Sequence, residues 1–120
     1  MNLIDYCIEK AKEIPYVKGQ YRLYSVITDK RGRIVSESAN SYCTTHPKQF
    51  YAAKRVGKPL KQFLHAESSA LIKSKGRGCK LYVARVLSDG TPADAMPCLV
   101  CQMMVKLHGG IKSIEYTTGE

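Results

Sequence analysis

Apolar residues recur at helical spacing from the start of the chain. Leu3, Ile4, Cys7, Ile8 and Ala11 share one face, and the pattern breaks before Pro15, which predicts an amphipathic first helix. "YRLYSVITD" is rich in β-branched and aromatic residues and reads as a strand. "DKRG" then supplies a turn and "RIVSESAN" the returning arm of a hairpin. Residues 41–64 are less regular, with Pro47, Gly57 and Pro59 marking loops around a short helix. "HAESSALIKSKG" reads as a helix stopped by Gly76 and Gly78, and "KLYVARVL" as a central strand covered on both faces. "SDGTPADAM" reads as a loop. Leu99, Val100, Met103, Met104 and Leu107 form a second helical stripe that ends at Gly109 and Gly110, and "IKSIEYTT" supplies a last strand.

The order α-β-β-α-β-α-β implies a three-layer α-β-α domain of the α/β class. Its mixed sheet has four or five strands, parallel wherever a helix makes the crossover. A chain of 120 residues with 44% hydrophobic content suits one compact domain spanning 1–120. No stretch approaches the roughly 20 apolar residues needed to span a bilayer, and no repeat or low-complexity tract is present. The acid-bearing N-terminal segment resembles neither a secretory signal nor a transit peptide. An odd number of cysteines, five, argues against a disulfide framework and for a reducing, cytoplasmic setting. The formal charge of +9 suits an anionic partner, although basic residues also simply keep a small protein soluble.

Two motifs carry candidate chemistry. His65 and Glu67 lie at the start of one crossover helix, Cys98 and Cys101 in the first turns of the next. Successive crossovers can set both helix starts at one edge of the sheet. Cysteines three apart on a helix point to one side and can bind one ion, and a helix N-terminus favours the thiolate. Pro97 costs little at a helix start. His65, Cys98 and Cys101 therefore read as three zinc ligands with a fourth position open to water. Glu67 stands outside that ligand set as a proton carrier for the water. The competing reading is a closed structural zinc site with a fourth ligand from Cys79, His46 or His108. A thioredoxin-like redox pair would leave His65 and Glu67 unexplained.

With "HAE" at 65–67 and "PCLVC" at 97–101 in this element order, the chain resembles the zinc-dependent cytidine and deoxycytidylate deaminase superfamily. That superfamily also includes tRNA adenosine deaminases and polynucleotide cytosine deaminases. The resemblance runs from the first helix to the last strand. It implies hydrolytic exchange of an amino group on a nucleobase, with release of ammonia. It also implies that Glu67 shuttles a proton to the ring nitrogen and then to the leaving amine, that the N–H of Ala66 bonds the base carbonyl, and that Asn40 touches base or sugar. The family often carries a further strand and helix beyond the point where "IKSIEYTT" closes this chain.

The substrate is expected to be a cytidine-type nucleoside or nucleotide. Single-stranded DNA or RNA is the alternative, and a non-catalytic zinc-stabilised nucleic-acid-binding module a third. Lys48, Lys54, Arg55, Lys58 and Lys61, interleaved with Phe50, Tyr51 and Phe63, should border the pocket mouth and suit a phosphate beside a stacked base. A solvated amphipathic helix explains the same pattern. Cys7 reads as core, Cys43 and Cys79 as bystander thiols, and the Met103–Met104 pair as packing. His108 is expected to meet the last helical carbonyls, and His46 either flanks the pocket or serves the fold. An uncovered final strand, together with the habits of the resembled superfamily, points to a homo-oligomer.

Overall fold

The computed structural model describes residues 2–18, 21–40, 51–52, 54–55, 57, 66–97 and 99–118, with the side chains of Ser68, Leu99 and Val100 excepted. Its elements are α1 (Leu3–Lys12), β1 (Arg22–Thr28), β2 (Ile34–Ala39), α2 (Ala66–Ser74), β3 (Lys80–Val86), β4 (Pro92–Ala93), α3 (Leu99–His108) and β5 (Ser113–Tyr116). Tyr51, Ala52, Lys54 and Arg55 are also helical, where the sequence predicts a short helix.

Local chemistry sets the boundaries. Asn2 caps α1, its Oδ1 accepting from the N–H of Ile4 at 2.8 Å and of Asp5 at 3.3 Å. Asp29 closes the β1–β2 hairpin by accepting from the backbone of Arg31 and Arg33 at 2.9 and 3.0 Å. Gly78, at φ +90°, lets the chain enter β3 where a Cβ would collide with the Ile27 side chain.

β1 pairs antiparallel with β2 on one side and β3 on the other, and β5 joins β3 in parallel. The outer edge of β3 is shared: β5 takes its first half and β4 its last two residues. Here the structure corrects the expectation of a plain loop over 88–96. A tight turn, with the Leu87 N–H on the Thr91 carbonyl at 2.9 Å, folds the chain back onto β3. Thr117 completes the handover between the two edge strands. Its N–H donates to Val83 O at 3.1 Å, and its carbonyl accepts from the Ala95 N–H at 3.0 Å.

Alternation along the strands separates two cores. Val26 and Ala84 turn towards α1 and pack with Cys7. Ile27, Leu81 and Val83 turn to the opposite face and pack with Ala70 and Leu71 of α2 and Met104 of α3. The outcome is the three-layer arrangement anticipated above, with β3 covered on both faces. Cys7 and Met104 are core residues, as their spacing implies. Among the described residues, no helix is long and apolar enough to cross a membrane.

Candidate active site

α2 leads from β2 to β3, which run in the same direction with β1 between them, and α3 leads from β3 to its parallel neighbour β5. Both helices therefore run antiparallel to those strands and parallel to each other. Their N-termini come to the end of the sheet where β2 and β3 finish, the usual place for a site in an open α/β sheet. A contact at the other end confirms the alignment. His108 Nε2, on the last residue of α3, lies 3.1 Å from Ser74 Oγ on the last residue of α2 and 2.9 Å from Arg77 O. Glu67 stands about two turns before Ser74, and Cys101 about two turns before His108. The two residues thus occupy one level of the paired helices. Both are buried, Glu67 4% exposed and Cys101 fully enclosed.

Three serines draw α2 onto the sheet at this end. Ser25 Oγ donates to Ala66 O at 2.6 Å, Ser36 Oγ to Ala70 O at 2.7 Å, and Ser38 Oγ lies 2.6 Å from Ser69 Oγ. All these residues are buried, so the bonds satisfy groups that water does not reach. Lys73 Nζ donates to Ser38 Oγ at 3.3 Å. Sequence reading overlooked this set. The available signal was the spacing of small hydroxyl residues along one strand face in "RIVSESAN", where a half-buried strand ordinarily carries apolar side chains.

Of the expected ligands, Cys101 is described and His65 and Cys98 lie outside the described residues, as do Cys43, His46, Lys48, Lys58, Lys61, Phe50 and Phe63. Among the described residues no group of three His, Cys, Asp or Glu side chains gathers around one point. The donor chemistry nevertheless fits zinc. Cys101 is a buried thiol outside any disulfide, in the first turn of α3, level with a buried carboxylate. Helix starts stabilise thiolates, and thiolate is a preferred zinc ligand. Two residues considered as closing ligands are placed elsewhere. His108 sits at the opposite end of α3, and Cys79 precedes β3 at the opposite end of the sheet. His108 also departs from expectation: it meets the carbonyl of Arg77, in the loop after α2, and its Nδ1 accepts from the Gly110 N–H at 3.0 Å.

Asn40 has a structural task. Its Oδ1 accepts from the Leu23 N–H at 3.1 Å and its Nδ2 donates to Tyr21 O at 3.1 Å, extending the β1–β2 ladder past the last strand residue. One amide hydrogen and one acceptor lone pair remain. Ala66 is fully buried in the first turn of α2. Of the basic segment, Lys54 and Arg55 are exposed, and Arg55 Nη1 donates to Tyr51 Oη at 3.0 Å, which fits a solvated helix face. A groove of about 450 Å³ lies between the C-terminal halves of α2 and α3, lined by Leu71, Ile72, Met104, Leu107 and His108. It is apolar and sits away from Glu67 and Cys101, so it is not the site of the chemistry.

Comparison with known proteins bears on the fold and the family. No curated protein matches the chain in sequence. A mutant cytidine deaminase from Mycobacterium tuberculosis, known from its crystal structure, has a similar fold. The TM-score is 0.53 at 21% identity, over 97% of this chain and 86% of that one. The family model for the cytidine and deoxycytidylate deaminase zinc-binding region matches residues 1–118. A zinc-dependent deaminase fold, paired helix starts and a sequence match over nearly the whole chain converge: the protein belongs to the cytidine and deoxycytidylate deaminase family, and its cofactor is zinc.

Proposed function

We propose that the chain is one catalytic domain that hydrolyses the exocyclic C–N bond of a cytosine-type base in a free nucleoside or nucleotide, releasing ammonia and leaving a uracil-type base. The observation that carries this reading is the pairing of buried Glu67 and buried Cys101 at one level of two parallel helices. His65, Cys98 and Cys101 would hold the zinc, which when bound supplies Lewis-acid activation of water.

The remaining work falls to the chain's own groups. Glu67 takes the proton from the attacking water and delivers it to the ring nitrogen beside the reacting carbon. It then carries a second proton to the departing amine, so the new C–O bond replaces the C–N bond without loss of charge balance. Burial of Glu67 excludes bulk water from that exchange. The Ala66 N–H donates to the base carbonyl oxygen, and the unused hydrogen and lone pair of Asn40 reach base or sugar. The protein works as a homo-oligomer, with β5, a largely exposed edge strand, among the surfaces available for assembly. Sedimentation at several concentrations tests the assembly.

The function is tested by mass spectrometry on a substrate panel of cytidine, its monophosphates, adenosine and a single-stranded oligonucleotide. A unit-mass gain on cytidine or its monophosphates, absent with Glu67→Gln, is the expected result. Gain confined to adenosine or to the strand would overturn the choice of substrate, and no gain on any member would overturn the reaction.

A further inference from the structure

Beyond Glu67 and Cys101, the same end of the sheet holds an arginine whose surroundings a structural role does not explain. Ser25, which bonds the Ala66 carbonyl, pairs with Val83, and one row further out Leu23 pairs with Arg85. Side chains two apart on a strand share a face, about 6–7 Å from one another. Arg85 therefore projects on the side of Leu81 and Val83, which is the side of α2 and α3. It lies one row outward from the first turn of α2. Asn40 is in the same outer row, held to Leu23 by its side chain at 3.1 Å.

The Arg85 guanidinium lies against the ring of Tyr21, its Cζ 4.0 Å from the ring centroid. Of its five donors, one hydrogen bond is formed among the described residues, a long one of 3.4 Å from Nη1 to Asp94 O. Among the described residues, Nε is buried with no hydrogen-bond partner and no carboxylate forms an ion pair with this cation. A guanidinium fixed in place with most of its donors unfilled, on a half-buried side chain, is costly unless something completes it. Arg22, the other arginine of this sheet end, shows the contrast. It faces the α1 side, and although its Nε likewise lacks a partner among the described residues, its terminal nitrogens are spent on the carbonyls of Lys12, Ile14 and Leu87.

We propose that Arg85, braced by Tyr21, binds the phosphate of a nucleoside monophosphate substrate. The inference rests on the deaminase reading above and narrows its substrate. The base lies at Ala66 and Glu67, the sugar extends along the row of Asn40, and the phosphate meets the guanidinium at the mouth. A planar fork presents two N–H groups to two phosphate oxygens, which a lysine does not reproduce. Stacking on Tyr21 keeps that fork oriented before substrate arrives.

The test compares cytidine with cytidine 5′-monophosphate, and deoxycytidine with its monophosphate, in the wild-type protein and in Arg85→Gln and Arg85→Lys. Zinc content and thermal midpoint are measured alongside. Arg85→Gln should lower kcat/KM for the monophosphates by about 10- to 100-fold, mainly through KM, while the nucleosides change less than about threefold. Arg85→Lys, which keeps a cation beside Tyr21, should lose several-fold on the monophosphates alone. Should Arg85→Gln fail to fold, the Lys variant decides. Equal losses on nucleoside and monophosphate would mark a merely structural arginine and overturn the proposal, as would unchanged kinetics. A wild-type preference for a cytosine-containing strand over the monophosphate would overturn it in favour of a phosphodiester.

If the wild type deaminates none of these compounds, the deaminase reading fails on its own. Equilibrium binding of cytidine 5′-monophosphate against cytidine then decides the phosphate site. An Arg85-dependent preference for the monophosphate upholds it, and equal binding sinks it.

Discussion

The Ser25 hydroxyl donates to the Ala66 carbonyl at 2.6 Å, tying the middle of β1 to the first turn of the helix that carries Glu67. The bond is fully buried at both ends, so neither partner can turn to water instead. Ser25→Ala should destabilise the fold by about 1–3 kcal/mol, the usual range for a buried acceptor left without its donor. It should also weaken zinc retention, because the first turn of α2 loses its anchor. Chemical denaturation and a chelator competition check the two effects, and an unchanged midpoint would show that the bond contributes nothing.

Glu67→Gln keeps the shape of the side chain but cannot accept and release the proton. The variant should retain zinc and fold while turnover falls about a hundredfold or more, the scale of general acid–base help. Near-normal turnover on a verified substrate would remove the proton-carrier role.

Zinc should be lost when Cys101→Ala deletes a ligand, and stripping the metal from the wild type with a chelator should abolish turnover and lower the thermal midpoint. Readdition of zinc restores activity to the wild type and not to the variant. Elemental analysis of the purified proteins reads the stoichiometry directly, one zinc per chain being expected.

Gly78 stands at φ +90° with the Ile27 side chain where a Cβ would be. Gly78→Ala combines backbone strain with a collision against a fully buried core residue. It should cost about 2–4 kcal/mol, since each effect alone reaches 1–3. A loss below about 1 kcal/mol in denaturant melts would count against the geometry.

On the α1 face, Tyr6 donates to Glu37 Oε1 at 2.6 Å and Tyr24 donates to the same oxygen. The bond to Glu37, then burial, pushes the Tyr6 hydroxyl up to about 12. Burial and then the Glu37 bond also push Tyr24 up. Burial raises Glu37, but the two hydroxyl bonds and the charges of Lys10 and Lys73 outweigh it and leave the carboxyl lowered. The raised tyrosine stabilises the fold fully below the ordinary tyrosine value of about 10, and that contribution is lost as pH rises through about 12. The lowered carboxyl works in reverse: its contribution is lost as pH falls below the ordinary carboxylate range. Alkaline titration followed by tyrosine absorbance should show Tyr6 ionising late. Glu37→Gln should move it back towards 10; an unshifted curve would contradict the cluster.

Much of this architecture is legible in the residues because helix and strand periods differ. The stripes through Leu3–Ala11 and Leu99–Leu107 and the run "KLYVARVL" each announce an element, and "HAE" with "PCLVC" marks the helix starts that the crossovers bring together. The two-residue β4 is not legible, since Pro92 and Ala93 have weak strand preference and pair only because the turn at Leu87–Thr91 folds them back. Ser25, Ser36 and Ser38 are opaque for a different reason. A serine facing a helix and a serine facing water look alike until the face is known. Arg85 is hidden in the same way, as one polar residue within an apolar strand. His108 misleads because a histidine at a helix end ordinarily serves its own helix, whereas here the neighbouring loop lies closer.

The unequal cores have a consequence for how the molecule breathes. α1 rests on the sheet through Cys7, Val26 and Ala84, the carboxylate of Glu37 and the bonds of Arg22 at its C-terminal end, while α2 and α3 share a larger cluster with Ile27, Leu81, Val83, Leu71 and Met104. The layer with less apolar burial opens first. Amide protons of α1 should therefore exchange with solvent deuterium well before those of β3 and of the helix bearing Glu67. Because α1 packs on the face of the sheet opposite α2 and α3, its transient opening should leave turnover unchanged, the level shared by Glu67 and Cys101 lying in the other layer.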